Sequence, residues 1–204
     1  MLFGLGRRHP ALDSLHALGL YNPYLSDGLL AHDAKRHQYF VTEATNPTIE
    51  VYSGETGRKL NAYPKFKFDA TDFCFFSTAQ LIDQLNRQQL INDDSPKVFG
   101  QLLHWVYRCS RSDAGLFAYS ARSLLYYTVQ KPTHETVESC LRVLNEQKLT
   151  REMVSGVARA ATLQIYDLAA GGRFVSEIEV PPLFRILEID PQGILWAVTG
   201  VDET

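Results

Sequence analysis

Two stretches of this chain share one design: Ile49-Glu-Val-Tyr-Ser-Gly-Glu-Thr-Gly-Arg58 and Leu163-Gln-Ile-Tyr-Asp-Leu-Ala-Ala-Gly-Gly-Arg173. Each is an apolar/polar alternation through a Tyr, then a glycine-bearing turn, then Arg. Period-two alternation places Ile49 with Val51, and Leu163 with Ile165, on one face of a sheet. The glycines supply the positive φ that a tight reversal needs. A chain that repeats this pattern must build antiparallel hairpins, and every other element has to be fitted around them.

The N-terminal part is β-rich over residues 28–76. His37 to Ala44 alternates as a strand, Asn46-Pro47 turns, Thr48 to Ser53 is the next strand, and Gly54 to Gly57 turns into Lys59 to Tyr63. Phe66, Phe68, Phe73, Phe75 and Phe76 then crowd a short segment, a density that marks a buried sheet edge.

Residues 77–162 switch to helical period. A short earlier helix is expected from Pro10 to Leu18, and longer ones from Thr78 to Ile91 and from Ser95, with Pro96 in its first turn, to Cys109. Thr133 and Thr150 each open a capped helix, the last running through Val154, Val157, Ala158 and Ala161. Gly115 to Val129 suits either strand or helix. Residues 163–200 return to strands (Leu163 to Leu168, Phe174 to Val180, Phe184 to Ile189, Ile194 to Thr199) joined by Ala169 to Gly172, Pro181-Pro182 and Asp190 to Gly193. The expectation is therefore one α+β domain over 1–204, with an antiparallel N-terminal part, central amphipathic helices and a C-terminal four-stranded antiparallel meander.

Several of these runs resemble single blades of bacterial β-propellers: Gly28 to Asp33, Gln38 to Thr42, Ile49 to Leu60, Leu163 to Leu168 and Asp190 to Ala197. In such blades a strand ending in a Tyr-Asp-like pair meets a Thr-Gly-Arg/Lys turn, and an Asp-Pro-x-Gly turn precedes an inner strand. The resemblance implies a sheet able to pair with other sheets, and it carries over no active-site residue. A helical centre would keep it from extending to a whole propeller.

Charge and chemistry narrow the function by exclusion. Twenty Lys and Arg against twenty-three Asp and Glu leave a net charge of −3, interspersed along the chain, so no global field favours nucleic acid or an anionic membrane. Cys74, Cys109 and Cys140 are odd in number and form no C-x-x-C pair, which suits a reducing, cytoplasmic setting and argues against a disulfide framework or structural zinc. No apolar run is long enough to cross a bilayer, and the apolar tip Leu2, Phe3, Leu5 precedes Arg7 and Arg8, the reverse of a secretory signal.

His32, Asp33 and His37 form the tightest histidine-carboxylate group, yet Asp33 to Arg36 reads as a polar turn. Ser110, Asp113, Cys109 and His104 imitate a triad in composition, but without a nucleophile elbow they read as a solvated helix end. No catalytic, cofactor or metal residue is assigned, and no phosphate loop is present.

The leading expectation is a non-enzymatic protein-interaction module, such as an adaptor, chaperone-like factor or assembly subunit, bound to a protein partner or to copies of itself. Its expected interface residues are Phe73, Phe75, Trp105, Tyr107, Tyr126, Tyr127 and Trp196. One alternative is a small metal-dependent or hydrolytic enzyme using His32, Asp33 and His37, or His104. The other is a single-stranded nucleic-acid binder whose basic face combines Lys65, Lys67, Arg108, Arg111 and Arg122 with Tyr63, Phe66 and Tyr107.

Overall fold

The computed structural model describes residues 28–44, 46–69, 111–133, 159–181 and 184–199. Ten strands fill these segments: β1 (Gly28–Asp33), β2 (Gln38–Glu43), β3 (Thr48–Ser53), β4 (Lys59–Pro64), β5 (Ser112–Tyr119), β6 (Leu124–Pro132), β7 (Arg159–Asp167), β8 (Arg173–Val180), β9 (Arg185–Ile189) and β10 (Leu195–Val198). They form two four-stranded antiparallel sheets, β1-β2-β3-β4 and β5-β6-β7-β8, and a two-stranded sheet, β9-β10. In both larger sheets the strands follow chain order.

The expected α+β class is overturned. Among the described residues none is helical and 65% are strand, so this part of the protein is all-β. The helices expected at Pro10 to Leu18, Thr78 to Ile91 and Ser95 to Cys109 lie outside the described residues, as does the one opening at Thr133 apart from Thr133 itself. Where the helix opened by Thr150 reaches described backbone it fails, because Arg159, Ala160 and Ala161 belong to β7 and pair with Pro132, Lys131 and Gln130 of β6. Alanine is the strongest helix former, but intrinsic propensity yields to tertiary context, and nine residues of ladder with β6 outweigh it. The ambiguous run Gly115 to Val129 resolves into β5 and β6.

The C-terminal four-stranded meander is also corrected. β7 and β8 join β5 and β6, whereas among the described residues β9 and β10 pair only with each other. The physical reason is tertiary: β7 and β8 find a ladder partner in β6, which the local strand and turn pattern does not specify. The two β-rich parts of the sequence consequently do not merge into one sheet.

The hairpin turns repeat one device. Ser53 Oγ accepts from the amides of Glu55 and Thr56, and Asp167 Oδ1 from those of Ala169 and Ala170. Asp190 Oδ1 accepts from the Ile194 amide. Each turn then ends on glycine with positive φ, at Gly57, Gly172 and Gly193.

Alternation along the strands gives the first two sheets facing apolar sides. Phe40, Ile49, Val51, Tyr63 and Ala31 of the first sheet form one buried cluster with Leu125, Tyr127, Val129 and Tyr166 of the second. The strands that open each sheet, β1, β5 and β9, lie next to one another, β1 against β5 and β5 against β9.

At Gly172 the β7–β8 turn meets Tyr63 so closely that an added Cβ would stand 2.2 Å from the Tyr63 ring, while Gly171 faces open space. Gly171→Ala should cost about 1–2 kcal/mol through its left-handed backbone alone. Gly172→Ala should cost measurably more in chemical denaturation, and equal losses would remove Tyr63 from that turn.

Candidate functional site

Three features beyond the core packing can bear on function: a buried charge joint between the larger sheets, a cleft where β1, β5 and β9 meet, and the outer face of the β9–β10 hairpin.

The joint begins where β4 ends. Pro64 cannot donate to a further ladder, and the chain crosses from the first sheet to the second. Lys65 goes down between them, and its Nζ donates to Asp113 Oδ2 at 2.9 Å and to the Glu43 carbonyl at 2.7 Å. Its side chain is 0% exposed and that of Asp113 1%. Asp113 also accepts from Thr42 Oγ1 at 2.8 Å and from the Tyr127 hydroxyl. Burial pulls the Lys65 ammonium below the ordinary lysine range, with the Asp113 carboxylate opposing that shift. Burial likewise pushes the Tyr127 hydroxyl well above its usual value, so it remains a donor.

The residues that follow are fastened by side chains of the second sheet. The Phe66 amide donates to Tyr166 Oη at 2.9 Å, and its carbonyl accepts from Gln164 Nε2 at 3.0 Å. Its ring stacks on Phe174 with centroids 3.7 Å apart. The Lys67 carbonyl accepts from Arg111 and Lys131, and Lys67 Nζ pairs with Glu177. A loop crossing a sheet face without a ladder would bury unpaired main-chain groups, and these side chains satisfy them instead.

Lys65 and Asp113 are closed to solvent and matched to each other, so they form a joint rather than a reactive centre. Arg111 and Ser112 are buried at the start of β5, which corrects the reading of Ser110 to Asp113 as a solvated helix end. The basic face drawn from Lys65, Lys67 and Arg111 is not assembled: Lys65 and Arg111 are buried, and Lys67 is paired with Glu177.

His32 and Asp33 do not converge. Adjacent strand residues point to opposite faces, and the His32 ring stacks on Tyr39 at 4.6 Å. Asp33 is buried and committed to its own turn, accepting from the Lys35 and Arg36 amides and from the Arg36 guanidinium at 2.7 Å. Burial alone would raise the Asp33 carboxyl, but these bonds and one from Ser120 hold it below the usual range. Among the described residues no three His, Cys, Asp or Glu side chains gather as a metal site.

Of the expected interface residues, Trp196 is exposed, Tyr126 half-buried, and Tyr127 fully buried in the core. Phe73, Phe75, Trp105 and Tyr107 lie outside the described residues, as does His104. The hairpin carrying Trp196 has two unlike faces. Ile189 is buried with Leu195 and Ala197 half-covered, whereas Leu187, Trp196 and Val198 are 59%, 59% and 48% exposed. The hairpin is tied to the second sheet at its turn, where the Tyr119 hydroxyl donates to the Asp190 carbonyl and Arg122 to that of Gln192.

The cleft has a volume of about 370 Å³ and is lined by Leu29 and Leu30 of β1, residues 114–117 of β5, and Arg185 and Ile186 of β9. Sequence reasoning missed both the cleft and the joint. The joint left one trace, a lysine placed between Pro64 and Phe66 at the entrance to an aromatic run.

Together these features define antiparallel sheets with an exposed apolar hairpin face and an open cleft. No protein-family model matches this chain, and a search of the curated proteins finds no match either. Among the described residues no helix is long and apolar enough to cross a membrane.

Removing one partner of a buried ion pair strands the other. Lys65→Met should therefore cost about 3–5 kcal/mol in chemical denaturation, and Lys65→Met with Asp113→Leu should cost less than Lys65→Met alone. A double variant less stable than the single one would contradict this account of the joint.

Proposed function

We propose that this chain is a non-enzymatic protein-interaction module, an adaptor or assembly subunit of the cytoplasm, that docks through the outer face of the β9–β10 hairpin. The observation that carries the reading is the exposure of Leu187, Trp196 and Val198 together on a sheet that has two strands among the described residues. A two-stranded sheet is marginal by itself, and three large apolar side chains on its outer face are costly to leave in water. A partner laid on that face would cover them, and the edge of β10 that is unpaired among the described residues would offer it a strand to join.

Trp196 is the anchor in this reading. Its indole Nε1 reaches Asp190 Oδ2 at 3.4 Å while more than half of its surface stays open. Large aromatics dominate binding energy when a partner closes over them. The three widely spaced cysteines support a reducing compartment.

Light scattering and affinity capture test the proposal. Wild-type protein should be an oligomer or retain a protein partner, and Trp196→Ala should release it as a monomer with an unchanged circular dichroism spectrum. A wild-type chain that is strictly monomeric and captures nothing, together with a Trp196 variant that unfolds, would make the strand ordinary core.

A further inference from the structure

The outer face of the β9–β10 hairpin carries charge as well as apolar surface, and the strand register settles how the two are arranged. Residues directly opposite each other in a ladder share a face. Leu195 opposite Ile189 and Ala197 opposite Ile186 make the covered side, whereas Trp196 opposite Glu188 and Val198 opposite Arg185 make the outer side. The register shifts between Trp196 and Ala197, which leaves Leu187 as an extra residue between the two outer rows, exposed with them. The face therefore reads as an acid beside Trp196, then Leu187, then a base beside Val198. Arg185 and Glu188 are both exposed, and no ion pair joins them to each other within the chain.

From this pattern we infer that the partner of the docking face is a second copy of this chain, packed face to face about a two-fold axis that crosses the strands at Leu187. The inference rests on the docking reading above and supplies its occupant. A two-fold interface must be self-complementary, because every contact that one copy makes is made again by the other. Rotation about this axis lays β9 antiparallel over β9 of the second copy, and β10 over β10, so the two outer rows change places. Arg185 then meets Glu188 of the second copy, and Glu188 meets Arg185 of the second copy, each as an oppositely charged pair suited to a guanidinium and a carboxylate. Trp196 meets Val198 of the second copy in the same way, twice, and Leu187 meets its own counterpart on the axis. A uniformly acidic or uniformly basic partner would satisfy only one of the two charges. The face is carried by five residues of β9 and four of β10, less than the roughly 800 Å² per partner of a stable interface, so the dimer is weak and reversible.

Sedimentation equilibrium of the full chain, from micromolar to millimolar concentration, tests this with charge-reversal variants of the two exposed residues. Wild-type protein should show a concentration-dependent monomer–dimer equilibrium. Arg185→Glu or Glu188→Arg alone sets like charges against each other at both contacts and should weaken dimerisation by at least about tenfold. The two single variants mixed in equal amounts should associate with each other, and the double variant Arg185→Glu with Glu188→Arg should dimerise as the wild type does. Circular dichroism checks that each variant is folded. Single reversals without effect, or a double variant that stays monomeric, would overturn the two-fold arrangement. A wild-type chain that is monomeric throughout but captures a different protein through Trp196 would overturn the dimer and leave the docking reading standing; a dimer that persists unchanged in Trp196→Ala would overturn both.

Discussion

The buried pair of Lys65 and Asp113 is the constraint on which the arrangement of the two larger sheets depends. An ammonium and a carboxylate removed from water each carry a desolvation penalty of several kcal/mol, which is recovered only when both are fully matched. Here the matching groups come from both sheets: Thr42 and the Glu43 carbonyl from the first, Tyr127 from the second. Sliding or tilting one sheet on the other would break several of these contacts together. Apolar packing of Phe40, Ile49 and Val51 against Leu125 and Val129 supplies attraction with little directional preference; the joint fixes the relative position. The anchored residues Phe66 and Lys67 extend it along the face of the second sheet.

Local strand and turn chemistry was readable from the residues. Alternation in Ile49 to Ser53 and in Leu163 to Leu168 places β3 and most of β7, and Gly57, Gly172 and Gly193 sit at the positive-φ positions that the turn sequences demand. Pairing beyond the nearest neighbour was not readable. A capped start at Thr150 and a run of alanines satisfy helix rules locally, yet Ala160 and Ala161 are strand because β6 is there to receive them. Four strands at short intervals near the C-terminus suggest one meander, and only the tertiary context divides them between two sheets. The joint eluded sequence reasoning for the same reason, since Lys65 and Asp113 are forty-eight positions apart and each alone resembles a surface charge. Trp196 is an expected interface residue from sequence, and its exposure follows only from the faces of β9 and β10.

The repetition of the sheets bears on function. Two four-stranded meanders and a hairpin follow one another with their first strands side by side, an arrangement that buries the inner faces and leaves a last face on the hairpin. In the function we propose, the apolar outer face of the smallest sheet is where a partner would dock. The cleft lies at the convergence of first strands.

The central claim, that the joint and the anchored segment make one cooperative unit of the two larger sheets, is tested most directly by native-state hydrogen exchange. The Phe66 amide, held by Tyr166 across 2.9 Å, reports the crossing itself. Its opening free energy should equal that of core amides in β3 and β6, because neither sheet can open without releasing the other. Exchange of Phe66 and the β3 amides at a clearly lower free energy than β6 would show that the first sheet unfolds independently, contradicting the account.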